Sequence, residues 1–100
     1  MIRHIVLFRQ SATDAEQRRR DADQLRSRLE ALVGVVPGVS DLRVASDLGE
    51  IEGHWDLALV SHHPSREALQ QYATDPRHRE VIAWVDGMVT ERAVVDVLLD

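Results

Sequence analysis

The sequence has five histidines, one tyrosine and no cysteine, so its candidate chemistry rests on imidazole and phenol groups. Without cysteine, disulfides, thiolate zinc sites and cysteine nucleophiles are excluded. His78 lies just inside a segment that opens with Asp75-Pro76 and shares an apolar stripe with Val81, Ile82 and Val85. On a helix that stripe faces inward. The partial positive charge of a helix N-terminus disfavours imidazolium, burial acts in the same direction, and Asp75 opposes both. A mostly neutral imidazole results, which suits a general base. Tyr72 stands six residues earlier, across the break at Thr74-Asp75. An unbroken helix would hold two side chains at i, i+6 apart, whereas the break lets them converge. A phenol beside a base can donate to a substrate carbonyl or enolate. His4 shares a strand face with Ile2, Val6 and Phe8 and can orient or hydrogen-bond a ligand. Each residue also has a plainer reading. His78 can be a core-edge histidine bonded to a backbone carbonyl, Tyr72 an amphipathic core tyrosine, and His4 a satisfied strand histidine.

Other chemistries lack support. His62 and His63 are adjacent, so a regular strand points them to opposite faces. His54 and His62 share a face but stand some ~27 Å apart at ~3.4 Å per residue. No metal site is expected. The five glycines form no phosphate-cradling loop, and no Ser-His-Asp order carries motif support. No cofactor is expected either.

The elements that must hold these residues read clearly. Residues 2–9 form an apolar, β-branched strand. Thr13-Asp14-Ala15-Glu16 fits a capping box with Thr13 at the N-cap. A helix then runs to about Gly34, with Ala22, Leu25, Leu29, Leu32, Val33 and Val36 on its inward stripe. Arg18-Arg19-Arg20 reads as a solvated helix face, because acids interleave. Pro37-Gly38 stops and turns the chain. Residues 39–48 give a weaker strand and residues 55–63 a third. Ser65 caps a short helix over 66–73, and Asp75 caps a second piece that begins at Pro76. Its apolar stripe continues from His78 to Val89. Residues 90–99 form the last strand.

The order β-α-β-β-α-β predicts a ferredoxin-like α+β fold, a four-stranded antiparallel sheet with both helical layers on one face. The first, third and fourth strands are apolar on both sides, so the uncovered face would expose a large apolar patch. A second copy packing sheet to sheet removes it, which predicts a homodimer. The chain of 100 residues, 44% apolar, is expected to form one domain over 1–100. Its net charge of −5 argues against nucleic acid or an anionic membrane as the main partner. No apolar run approaches the ~20 residues of a membrane helix. The run Ile5-Val6-Leu7-Phe8 is too short for a signal-peptide core, so a cytoplasmic location is expected.

Ile2-Arg3-His4-Ile5-Val6-Leu7-Phe8, Val36-Pro37-Gly38-Val39, Trp55-Asp56-Leu57-Ala58-Leu59-Val60-Ser61, Ala68-Leu69-Gln70-Gln71-Tyr72, Asp75-Pro76-Arg77-His78 and Val94-Val95-Asp96 fall along nearly the whole chain. In that order they resemble the stress-responsive α/β-barrel (Dabb) family. The resemblance implies a dimeric α+β barrel with two facing sheets. The family includes plant stress proteins, a plant polyketide cyclase and many bacterial members without an assigned activity. In the cyclase a Tyr and a His form the catalytic pair, and these map onto Tyr72 and His78; a first-strand pocket His maps onto His4. A third-strand pocket His falls at Leu57 here, and the first His of the family's His-Pro-x-His turn is Asp75. Two functions follow. In one, the cleft binds an apolar, oxygenated small molecule and performs cofactor-free aldol cyclisation or enolisation, with His78 as base, Tyr72 as oxyanion donor and His4 as a binding group. In the other, the chain is a stress-associated or scaffolding domain without catalysis.

Overall fold

A computed structural model describes residues 1–99. Along the chain run β1 (Ile2–Gln10), α1 (Ala15–Glu30), β2 (Asp41–Ser46), β3 (Leu57–His63), α2 (Arg66–Thr74), α3 (Pro76–Asp86) and β4 (Val89–Leu98). The strands form one antiparallel sheet in the order β2-β3-β1-β4, so β1 and β3 are central. This is the expected ferredoxin-like α+β topology, with the second crossover split into α2 and α3.

Alternation along the central strands decides which side chains meet the helices. Ile2, Val6 and Phe8 of β1 and Leu57, Leu59, Ser61 and His63 of β3 are buried on one face. Of these, Val6, Phe8, Leu57 and Leu59 form one core with Leu25 and Leu29 of α1, Tyr72 of α2 and Val85 of α3. The opposite face carries Ile5, Leu7 and Val60, which are only half-buried. The edge strand β4 is only thinly covered by the helices: Val95 and Val97 on the open side and Val94 and Leu98 on the helix side are all exposed. At the other edge, the Val44 N–H donates to the Glu30 carboxylate at 3.1 Å, closing a strand edge with a helix end.

Several boundaries differ from the sequence reading. Asp14, not Thr13, caps α1, its carboxylate accepting from the Gln17 N–H at 3.0 Å. Both residue types serve at an N-cap, and placing it one residue later leaves Glu16 in the first turn, 3.6 Å from Arg20. The helix stops at Glu30 rather than near Gly34. Turns follow, held by Leu32 N–H to Leu29 and Val35 N–H to Leu32, and they keep Leu32 and Val36 buried while Val33 turns outward. Arg18 is not merely solvated: it donates to Asp56 at 3.0 Å and to the Ala12 carbonyl at 2.8 Å, tying α1 to the approach of β3. Trp55 lies before β3, with the Arg9 guanidinium 4.2 Å above its ring. Val89 begins β4 instead of extending α3. Among the described residues, no helix is long and apolar enough to cross a membrane.

Candidate functional site

Four aromatic rings run in file across the helix-facing side of the sheet. The His4 and His63 centroids are 6.0 Å apart, His63 and Tyr72 5.1 Å, and Tyr72 and His78 4.4 Å. Each comes from a different element, β1, β3, α2 and α3, so the whole fold is needed to assemble them. The α2–α3 break does what its residues imply. Asp75 caps α3 by accepting from the Arg77 N–H at 2.9 Å, and Pro76 takes the first helical position. The corner carries His78 back over Tyr72.

Each histidine binds the protein through Nδ1. His78 Nδ1 donates to the Ala73 carbonyl at 3.1 Å, across the corner. His63 Nδ1 donates to the Gly38 carbonyl at 2.6 Å. His4 Nδ1 meets the Asp96 carboxylate at 2.5 Å, the two residues lying directly opposite on β1 and β4. These bonds fix the neutral tautomers, because a ring that donates from Nδ1 carries its lone pair on Nε2. In His63 that lone pair accepts from the Ser61 hydroxyl at 2.9 Å, so this fully buried ring is satisfied at both nitrogens. In His4 and His78, Nε2 has no protein partner among the described residues. The two histidines do not bond to one another.

Burial sets the protonation states. It pushes the Tyr72 phenol up to about 12, with no hydrogen bond to offset it. It pushes His78 below the ordinary histidine value. The Ala73 carbonyl partly offsets that shift, while the charges of His4 and Arg92 reinforce it. Asp75 favours imidazolium only weakly, being itself held by Arg77, whose bonds bring its carboxyl down to about 2. Burial likewise lowers His63, with the Gly38 carbonyl opposing. Near neutral pH His78 and His63 are therefore neutral imidazoles and Tyr72 is a protonated phenol.

Tyr72, His78 and His4 line one cleft of about 180 Å³, together with Val6, Phe8 and Ile82. Among the described residues no fully buried side-chain nitrogen or oxygen lacks a partner, so the unpaired Tyr72 hydroxyl and the two Nε2 atoms are not sealed from solvent. A neutral base beside a phenol donor in an apolar recess is an arrangement able to move a proton to or from carbon and steady an enolate. The three residues selected from sequence are thus brought together. Three others were missed. His63 was detectable, since alternation places it on the face of Leu57 and Leu59. Asp96 and Arg92 depend on the β1–β4 register, which the strand pattern alone does not supply. Leu57 is buried in the core, with no imidazole in its place. Among the described residues, no three His, Asp or Glu side chains gather as metal ligands.

Comparison with known proteins gives a consistent picture. A dimeric protein of unknown function and ferredoxin-like fold from Bacteroides fragilis superposes with a TM-score of 0.86 at 23% identity, over 98% of this chain and 95% of its own. A dimeric ferredoxin-like protein of unknown function from Thermobifida fusca gives 0.81 at 28%, over 98% and 90%. The hydroxynitrile lyase of Passiflora edulis gives 0.82 at 17%, over 99% and 93%, and at that identity the likeness is one of fold. No curated protein matches in sequence. The model of the stress responsive A/B barrel domain family matches residues 2–99, so the chain belongs to that family.

Proposed function

We propose that the protein is a homodimer, joined through its open sheet face, whose cleft binds a small, apolar, oxygenated molecule and catalyses cofactor-free enolisation or aldol cyclisation. The observation that carries this reading is the 4.4 Å approach of the Tyr72 and His78 rings at the wall of an apolar cleft. His78 Nε2 takes a proton from the carbon next to a carbonyl. The Tyr72 hydroxyl donates to the oxygen on which charge develops. His4, steadied by Asp96, hydrogen-bonds a second oxygen. The half-buried apolar residues of the open face and the dimeric relatives support the assembly.

A small aryl ketone such as phenylacetone, in deuterated water, provides the test. Exchange of its α-protons followed by NMR should be accelerated by the protein. His78→Ala should remove about 10²–10⁴-fold of the rate. Tyr72→Phe should remove about 10²–10³-fold. The rate should fall only below the ordinary histidine range and hold on the alkaline side until the phenol ionises near 12. Equal acceleration by both variants would overturn the assignment. A second reading, a domain without catalysis, is favoured by the size of the cleft: about 180 Å³ is less than the ~300–1,000 Å³ common for ligand pockets. Absence of any acceleration, with the ketone nonetheless bound, would select it.

A further inference from the structure

Arg92 is the polar residue of the cleft that nothing in the proposed proton transfer uses. It lies on β4 directly opposite Phe8, so its side chain leaves the sheet on the helix side. It lines the same cleft as Tyr72, His78 and His4, and its charge is felt at His78. Its one ionic contact among the described residues is to Asp86 at 3.2 Å, with side chains 36% and 53% exposed. Such an exposed pair holds a guanidinium weakly and leaves its other donors available. The remaining charge near the cleft is already arranged, since Asp96 is engaged by His4. Among the described residues that line the cleft, Arg92 is therefore the one fixed cation, and no acid of the lining opposes it.

We propose that the ligand of this cleft is a carboxylic acid with an apolar body, its carboxylate held by Arg92 and its reacting oxygen placed between Tyr72 and His78. The inference rests on the cleft reading above and adds the charge of the ligand. The planar fork of a guanidinium matches a carboxylate through two parallel N–H donors. A single guanidinium balances one negative charge. A phosphate carries more charge and is typically cradled by several cations or free backbone N–H groups, and the cleft lining supplies no second Arg, while the Asp75 carboxylate already occupies the N-cap of α3. The apolar body is demanded by a wall whose residues are mostly apolar, Val6, Phe8, Leu59, Ile82 and Val94 among them.

Phenylacetate and its neutral counterpart phenylacetamide separate these terms, because they share an apolar body and differ in charge. Their binding is followed by NMR through the ring signals of Tyr72 and His78. Phenylacetate should bind at least ~10-fold more tightly than the amide. Arg92→Gln should bring the two to equal affinity, chiefly by weakening phenylacetate. Arg92→Lys should retain part of the preference. Arg79→Gln, which removes the same charge from an exposed site one residue beyond His78, should retain all of it. Equal affinities in the native protein, or a preference that survives Arg92→Gln, would overturn the role of Arg92 while leaving the cleft as a binding site. Ring signals undisturbed by either compound at millimolar concentration would overturn both.

Discussion

Gly38 links the turn after α1 to the helix that carries Tyr72, and replacing it by alanine perturbs that link. Its φ is +91°, in the left-handed region, and an added Cβ would lie 2.2 Å from the Ala68 carbonyl oxygen and 3.2 Å from the Tyr72 nitrogen. Both are backbone atoms of α2, so no rotamer change relieves the contact. Either the turn or the helix must move. Moving the turn stretches the 2.6 Å bond from His63 to the Gly38 carbonyl. Gly34 supplies the control, with φ +83° and nothing within 4 Å of its added Cβ. Gly34→Ala should cost only the left-handed penalty of roughly 1–2 kcal/mol. Gly38→Ala adds an overpacking term of roughly 1–3 kcal/mol, for about 2–5 kcal/mol in all. A domain of this size shifts its Tm by about 4–8 °C per kcal/mol, so the variants should melt at least ~4 °C apart. The assay is thermal and urea unfolding by circular dichroism at one fixed protein concentration, because dimerisation makes Tm concentration-dependent. Equal destabilisation by the two substitutions would show that the Gly38–α2 approach does not constrain the fold.

The other expectations follow from burial and exposure. His63 and His78 both titrate below the ordinary histidine value; the unfolded chain then binds protons first, so their contribution is complete above about 6.5 and declines as pH falls toward the depressed folded values. Urea midpoints measured down to pH 5 should show that decline, and His63→Gln should flatten it; a midpoint constant over this range would contradict the assignment. His63→Ala should cost about 1–3 kcal/mol, since it leaves the Gly38 carbonyl and Ser61 hydroxyl without their partner. Light scattering at micromolar concentration should give about twice 11.3 kDa. Val95→Glu, on the open face and 58% exposed, should shift that mass toward the monomer with little change in far-ultraviolet circular dichroism. A native chain that scatters as a monomer and binds no apolar dye would refute the packing argument.

Much of the architecture was legible because short-range patterns carry it. The Asp75-Pro76 cap, the Ser65 cap and the alternation of β1 and β3 each depend on a few neighbouring residues, and each is found where the sequence places it. The end of α1 was less legible, since the 3.6-residue stripe continues through Leu32 and Val36 although the backbone between them has left the helix. Turn residues can bury the same positions, so hydrophobic spacing does not separate the two. Partners across the sheet were not legible at all. That His4 meets Asp96 and not His78 depends on the register of β1 against β4, strands separated by most of the chain. Tyr72 and His78 were the easier pair, because a single corner brings them together.

The structural and chemical readings of these histidines are not rivals. A core-edge histidine satisfied by a backbone carbonyl is what His78 is, through Nδ1 and Ala73. That bond also assigns the proton to Nδ1 and leaves the lone pair on Nε2, which is what the proposed role as a base requires. His4 repeats the pattern with Asp96. His63 shows the alternative outcome: with Ser61 on its second nitrogen it is fully satisfied and lines no part of the cleft. Among three inward-facing histidines, the number of ring nitrogens the protein engages separates a structural residue from one available to a ligand. Burying such groups among Val, Phe and Ile carries a desolvation cost unless each polar atom finds a partner. The open Nε2 atoms and the Tyr72 hydroxyl accept that cost only where the cleft lets a ligand or solvent reach them. Filling the cleft with Ile82→Phe should therefore trap these atoms, lower stability despite the added apolar contact, and abolish binding of a ligand. An Ile82→Phe variant that gained stability and kept its affinity would show that the polar atoms face elsewhere.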